Sequence, residues 1–465
     1  MTAELPTIAA AARGYRDGTL SPVDVTALCL ERIERYDGAL HCYHAVFAEE
    51  AMAAARAAEQ ALGRGEDLGP LHGIPVALKD VFYWKGRKTT SNSRVMLHFE
   101  ADEDAGAIDR LKQGGAVLLG QLNTYEFTFG GRPSTEPPFP PALNPWDTGR
   151  ITGGSSSGSG AAVAAGLCLG ALGTDAGGSI RLPAAFCGIA GLKPTIGRVS
   201  AFGDMPLTYS FDCVGPMAWT SEDAAIMLQA LAGYDARDPM SADVAVPDYL
   251  AGLEDGVAGL RVGLIRHFYT DDFASPPEIV RAIDGVAETL AGLGAEIEEV
   301  SVSPLIDWHA VGRVLVPAEA FAIHEERLQT SWEEYGRLAR NRLMLGSLFR
   351  AVDYIQAQRR RTELLAELEA VLAGCDVVVT TGMMTPAPPL DDTEPFPFID
   401  VPTIGIPFNL TAHPCHVVRA GFFADGTPIG AQIAARHWDE ATVLRTAHAF
   451  ERAACLNDRR PPLDG

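Results

Sequence analysis

The feature that most constrains the fold is an alternation. Short apolar runs rich in β-branched residues keep trading places with longer stretches of helical period. Ser21-Pro22-Val23-Asp24 supplies a side-chain cap, a proline at the first helical position and an early acidic residue, which predicts a helix to about Tyr36. A second, Ala/Glu-rich helix is expected over residues 48–62. Gly69, Pro70 and Gly73 then break the helical period, and residues 74–78 read as a short apolar strand leading into Lys79-Asp80. The same exchange predicts a helix over 104–114, a strand over 116–119, a small-residue helix after Gly158 and a strand over 167–172. Further on come a strand over 260–265, a helix over 277–293, a strand over 296–302 and several helices between about Pro317 and Leu372. Strands over 377–380, 417–421 and 429–434 and a helix over 440–453 complete the pattern. Strands separated by helices call for an α/β chain, with a central sheet covered by helices on both faces.

Composition narrows the function classes. Of the 465 residues, 37 are Lys or Arg and 60 are Asp or Glu, a net charge of −23, the wrong sign for a face that neutralises phosphates. Nucleic acid is therefore not expected as a direct ligand. A hydrophobic share of 47% excludes wholesale disorder. No apolar run approaches the roughly 18 residues of a membrane span, and Glu4, Arg13, Arg16 and Asp17 interrupt the beginning, so neither membrane association nor a signal peptide is expected. The eight cysteines are scattered without a CxxC, which fits reduced thiols in a cytoplasmic protein. The closest Cys/His grouping, His413, Cys415 and His416, alternates across the two faces of a strand and has no partner at zinc spacing, so no metal is expected. Proline-rich residues 133–145 and 386–407 read as ordered loops lining a site.

Chemistry concentrates in two Gly/Ser turns. The first is Thr152-Gly153-Gly154-Ser155-Ser156-Ser157-Gly158; the second is Thr174-Asp175-Ala176-Gly177-Gly178-Ser179. Around Ala176-Gly177-Gly178 small residues let the backbone curl so that successive N–H groups converge on an anion, and Ser179 follows directly. A nucleophile beside an oxyanion hole is what acyl transfer needs. Residues 154–158 also match GxSxG and would make Ser156 a nucleophile, but that motif needs an apolar strand before it, and residues 144–150 are a polar turn. The base is open on these grounds. A histidine is the usual choice, whereas Lys79, at the end of an apolar strand, becomes a base if burial strips its proton.

Gly153-Gly154-Ser155-Ser156, the spacing of 24 residues from Ser155 to Ser179, the run from Gly173 to Ala184 and Gly191-Leu192-Lys193-Pro194-Thr195 resemble the amidase signature family. So do Gly73 to Asp80, Asn123 to Phe127, Asn144-Pro145, Gly215-Pro216-Met217 and Pro428 to Ile433, in family order from about residue 5 to 455. The resemblance implies an α/β/α amidase signature fold with a mixed central sheet, built as one domain over 1–465. In it, 1–62 would be N-terminal helices, 63–220 the core with the catalytic residues, and 221–465 the rest of the sheet with a mostly helical insertion near 315–372. It implies that Ser179 is the nucleophile, that Ser155 sits behind a cis peptide bond, and that Lys79 is the base. Ala176, Gly177, Gly178 and Ser179 would form the oxyanion hole, with Asp175 and Arg181 holding the loops around them. Hydrolysis of a C–N amide bond follows, with no cofactor; carbamates, ureas and aryl esters share the route.

Tyr125, Phe129, Gly130 and Thr152, with Phe127 and Phe139 nearby, are candidates for a substrate pocket or for core packing. Two departures from the family stand out. Ser157 occupies a position where relatives usually have glycine, and Ala412 lies near another such glycine. One branch of the family is the glutamine-hydrolysing component of a tRNA-dependent amidotransferase, which grips glutamine with an arginine and an aspartate. Arg361 resembles the first, but the second falls at Pro402, with Asp400 two residues away. A stand-alone amidase acting on a small molecule is therefore the leading expectation. The amidotransferase component, with partner subunits, is the alternative, and a homodimer stays open.

Overall fold

A computed structural model describes residues 5–130, 138–391 and 402–463. Asp400 and parts of both proline-rich loops lie outside these residues. Eleven described strands form one mixed sheet. In chain order they are β1 (Tyr43–Val46), β2 (Pro75–Lys79), β3 (Val117–Leu122), β4 (Gly170–Thr174), β5 (Ala190–Lys193), β6 (Val214–Ala218), β7 (Arg261–Leu264), β8 (Glu296–Glu299), β9 (Val377–Thr381), β10 (Cys415–Phe422) and β11 (Pro428–Ala435). Across the sheet the order is β1-β3-β2-β4-β6-β5-β10-β11-β9-β7-β8. β2 runs parallel to both β3 and β4, so the carboxyl ends of β2 and β4 emerge side by side, with Leu78 paired to Leu172. In open α/β sheets that edge is where ligands bind.

Helices flank the sheet in two groups. Ser157–Ala164 and Arg181–Cys187 pack on each other and on neighbouring strands, as do Ser221–Leu231, Pro277–Gly292 and Glu440–Ala454. One apolar cluster runs from Ile8 to Phe450. The first predicted helix is Pro22–Leu40: Ser21 Oγ accepts from the N–H groups of Val23 and Asp24. It runs four residues past Tyr36 because the left-handed residue that ends it is His41, at φ +53°.

Three expectations need correction. The segment 1–62 is not purely helical, since β1 pairs antiparallel with β3 at the sheet edge. β4 begins at Gly170 rather than Leu167, because Leu167, Cys168 and Leu169 are buried in the turn that precedes it. The helical insertion starts at Leu305, and Pro317 lies inside helix Leu305–Thr330 instead of opening it. A proline removes one backbone bond from a helix. Here Leu305, Trp308, Leu315 and Ala320 bury the helix on both sides of it, and Gly346 of helix Arg337–Gly346 packs on the Pro317 carbonyl with no room for a Cβ.

Candidate active site

Lys79 ends β2 with its side chain fully buried. Its Nζ donates to Ser155 Oγ at 2.8 Å and to Thr174 Oγ1, at the end of β4, at 2.7 Å. Burial lowers the ammonium from 10.5 to about 7, against the pull of Asp204, Asp212 and Asp175. Asp204 is itself pushed well up, by burial and by Asp212. Burial is the largest effect on Lys79 and outweighs the pull of these acids.

Ser155 is held by its backbone. The Gly154–Ser155 peptide bond is cis, and Gly153 before it sits at φ +74°. Gly154 lies under the Tyr125 ring with no space for a Cβ. The Ser155 carbonyl accepts from Thr124 Oγ1 at 2.9 Å, Ser157 N–H at 2.8 Å and Tyr125 N–H at 3.2 Å. The next residue ties the two turns together, Ser156 N–H donating to the Ser179 carbonyl at 3.2 Å. Ser156 Oγ is buried, accepting from the Thr174 N–H and donating to the Thr174 carbonyl, both at 3.3 Å. That occupies the hydroxyl in holding the first turn to β4 and leaves the GxSxG reading without an exposed nucleophile.

In the second turn the Asp175 carboxylate accepts from Gly178 N–H at 2.7 Å and Ile180 N–H at 3.1 Å. The Gly178 N–H is therefore spent on shaping the turn, which corrects the expectation that it faces an oxyanion. The N–H groups of Ala176, Gly177 and Ser179 have no partner among the described residues. Gly177 and Ser179 are only partly buried, while the residues around them are sealed. Gly178, at φ +113°, lies against Gly405, where a Cβ would come within 2.6 Å of Gly178 Cα.

Asp175 and Arg181 form a buried pair, Nε to Oδ2 at 3.0 Å, rather than a solvated turn. The same guanidinium donates to Gly405 O at 2.9 Å, Asn409 Oδ1 at 2.6 Å and Gln432 Oε1 at 2.8 Å, and Asn409 Nδ2 returns to Asp175 Oδ1 at 2.9 Å. Burial opposes the Asp175 charge, but Arg181 and Asn409 overcome it and hold the carboxyl well below the usual range. Asn409 and Gln432 were not foreseen as parts of this network, since residues 228 and 251 positions from Arg181 carry no local signal of contact; nor was Thr174 as a partner of Lys79. Asp204 had one: it is a lone acid between Gly203 and Met205 in an otherwise uncharged stretch.

The proposed pocket residues all prove buried. The Tyr125 ring packs on Gly154. Phe127 meets His324 at 4.5 Å and Tyr335 at 5.3 Å, Phe129 lies under the Arg342 guanidinium at 4.2 Å, and Phe139 meets His44 edge-on at 5.1 Å. Gly130 is tied to the Glu126 carbonyl, and the fully buried Thr152 donates to the Gly153 carbonyl. Phe127, Phe129 and Phe139 are thus packing residues, while Tyr125 and Thr152 support the Ser155 turn.

Arg361 Nε donates to the Leu410 carbonyl at 2.6 Å and its guanidinium covers Phe211 at 4.6 Å. Ser157 is the first residue of helix Ser157–Ala164 and has ordinary φ, so the departure from glycine there brings no strain. Ala412 does differ, with φ +61°. Cys415 and His416 part as the alternation predicts, towards Gln432 and Ser221 respectively. Among the described residues no helix is long and apolar enough to cross a membrane.

The Amidase family model matches residues 24–444. One of the glutamyl-tRNA(Gln) amidotransferase subunits of Chloroflexus aggregans is 38% identical, over 98% of each chain. Among solved structures, one described as an inhibitor-bound vestigial complex bearing on the origin of an s-triazine catabolic enzyme matches with TM-score 0.90 and 32% identity, covering 97% of this chain and 99% of that one. The peptide amidase of Stenotrophomonas maltophilia matches with TM-score 0.86 and 28% identity over 99% of each. This chain belongs to the amidase signature family and is a hydrolase of carbon–nitrogen bonds.

Proposed function

We propose that the chain cleaves an amide C–N bond through an acyl-enzyme on Ser179, with Ser155 and Lys79 as the proton relay. The observation that carries this reading is a fully buried lysine, its ammonium lowered to about 7, within 2.8 Å of Ser155 in the turn stitched to Ser179. Neutral Lys79 takes the Ser155 hydroxyl proton as Ser155 takes that of Ser179, and Ser179 Oγ bonds to the carbonyl carbon. The carbonyl oxygen becomes an oxyanion, met by the N–H groups of Ala176, Gly177 and Ser179. Collapse breaks the C–N bond, and the leaving amine receives the proton that Lys79 returns through Ser155. Water then repeats the relay on the ester, releasing the acid and restoring Ser179. Asp175, Arg181 and Asn409 act by keeping the turn in shape.

The amide itself is read from relatives and pocket chemistry. The curated relatives named as glutamyl-tRNA(Gln) amidotransferase subunits favour glutamine as the amide, with the ammonia passed to a partner protein, over the stand-alone amidase expected from sequence. In that reading contact with tRNA falls to the partner, because this chain carries a net charge of −23. Two observations favour the stand-alone reading. Arg361 is engaged by Leu410, and Pro402 offers no charge to a glutamine α-amino group. The discriminating experiment incubates the purified chain, alone and with candidate partner subunits, with glutamine and with a panel of aliphatic, aryl and carbamate substrates. Partner-dependent glutaminase activity supports the first reading, and partner-free turnover of simple amides the second. A serine-directed sulfonyl fluoride should label Ser179; labelling of Ser156, or turnover by Ser179→Ala, would overturn both.

A further inference from the structure

Away from the reaction centre, three side chains from distant parts of the sequence meet. Glu369 lies on helix Ala351–Gly374, His413 follows helix Ile406–Leu410, and His437 follows β11. Their ligand atoms all lie within 4.8 Å of one another. His437 Nδ1 is 3.1 Å and His413 Nε2 is 3.5 Å from the same carboxylate oxygen, Glu369 Oε1. The two imidazoles stack, with centroids 3.9 Å apart and planes 16° apart.

Two features of this cluster suit a bound cation. First, His413 is fully buried, its Nδ1 has no hydrogen-bond partner among the described residues, and its Nε2 has only the long 3.5 Å approach to Glu369. Buried polar atoms are rarely left so. Second, His437 Nε2 faces the Thr411 carbonyl at 2.7 Å, an acceptor, so Nε2 carries the proton. Its other nitrogen, Nδ1, is turned to the Glu369 carboxylate at 3.1 Å. A histidine whose far nitrogen donates to a backbone carbonyl is also how proteins orient a metal-bound imidazole.

We propose that Glu369, His413 and His437 bind one divalent transition-metal ion. Two imidazoles and a carboxylate suit Zn2+ and its neighbours, not Mg2+ or Ca2+, which take oxygen ligands. Metal–ligand bonds of about 2.0–2.2 Å need ligand atoms about 3.4 Å apart and the ion in the plane of each ring, so binding requires the two stacked imidazoles to tilt apart as well as side-chain shifts of about 1 Å. Glu369 is 47% exposed and gives the ion a way in, with water at the remaining position. His413 follows Ala412, and Asn409 four residues earlier holds Asp175. The ion would fasten the segment carrying Asn409 to helix Ala351–Gly374, outside the reaction itself.

The test titrates chelator-treated protein with Zn2+ by calorimetry and with Co2+ by visible absorption. One equivalent of Zn2+ should bind, the Co2+ protein should take on the intense colour of a four-coordinate site, and the melting temperature should rise with Zn2+. His437→Ala and Glu369→Gln should each weaken binding by about 100-fold or more while retaining basal hydrolysis. Because both residues are partly exposed, these variants remain informative if His413→Asn does not fold. Unchanged Zn2+ binding in both variants would mean that the ion sits elsewhere and would overturn the proposal. So would a colourless Co2+ titration.

Discussion

Raising the pH through neutrality should switch the relay on, and the shape of the rise tests whether burial of Lys79 is the source of its basicity. The folded value of about 7 lies far below the ordinary 10.5, which is about 5 kcal/mol of bias against the ammonium in this pocket. With a value near 7, the neutral fraction grows from about one-eleventh at pH 6 to about ten-elevenths at pH 8. The kcat/KM should therefore rise about tenfold over that interval and then level off. An ordinary lysine would give a rise of about a hundredfold over the same interval with no plateau. Thr174→Val sharpens the test. Thr174 Oγ1 accepts from Nζ at 2.7 Å, and a hydrogen bond to a charged group is worth about 1.5–3 kcal/mol. Removing it disfavours the ammonium further, so the rise should move about one to two units towards acid. The assay is kcat/KM for a chromogenic aryl amide or ester between pH 5 and 10, values chosen about the expected midpoint, with Lys79→Arg as the variant that keeps its charge and should be inactive. A wild-type profile still climbing tenfold per unit at pH 9, or a Thr174→Val profile displaced towards alkali, would refute the reasoning.

The same lysine should cost stability. Its folded value lies below its unfolded one, so the unfolded chain binds more protons between about pH 7 and 10.5, and wild-type stability rises with pH across that window. Lys79→Met should remove the slope and gain up to about 5 kcal/mol at pH 7, read from urea midpoints at pH 7 and 9.5; an unchanged slope would count against it. Asp175→Asn leaves the Arg181 guanidinium buried without its countercharge and should cost about 3–5 kcal/mol in the same denaturation assay. The wild-type pair should also lose strength only under strongly acid conditions, where the depressed Asp175 carboxyl finally takes a proton. Ala412→Gly relieves a left-handed φ of +61°, worth about 1–2 kcal/mol, at an entropic cost of about 0.5–1 kcal/mol, and so should gain up to about 1.5 kcal/mol in the same denaturation assay.

What the sequence made legible follows from how local each signal is. The helix at Pro22 and the strand ending at Lys79 are announced by a cap, a proline and a buried apolar run, and both appear within a few residues of expectation. β6 went unread because Gly215-Pro216 argues against a strand interior, yet it pairs with β4 and β5. Pro317 misled in the opposite direction: a proline reads as a helix start, and only packing on both sides keeps the helix running through it. At the candidate site the two turns and Lys79 were visible as motifs. Which N–H groups remain available was not, because Gly178 is claimed by a carboxylate three residues away through a geometry that no spacing rule encodes. The aromatic residues from Tyr125 to Phe139 illustrate the remaining ambiguity, since apolar side chains near a motif suit a pocket and a core equally well until their neighbours are known.

The brace around Asp175 has a consequence for the order of events in synthesis. Its local partner, Arg181, is six residues away, but Gly405, Asn409 and Gln432 are added more than 220 residues later. A nascent chain that has already emerged past Ser179 cannot yet complete the ring that fixes the turn. Hydrolytic competence should then arrive late, when the stretch ending in β11 clears the ribosome, so that truncated products carrying both serines and Lys79 would be bystanders and not unregulated hydrolases.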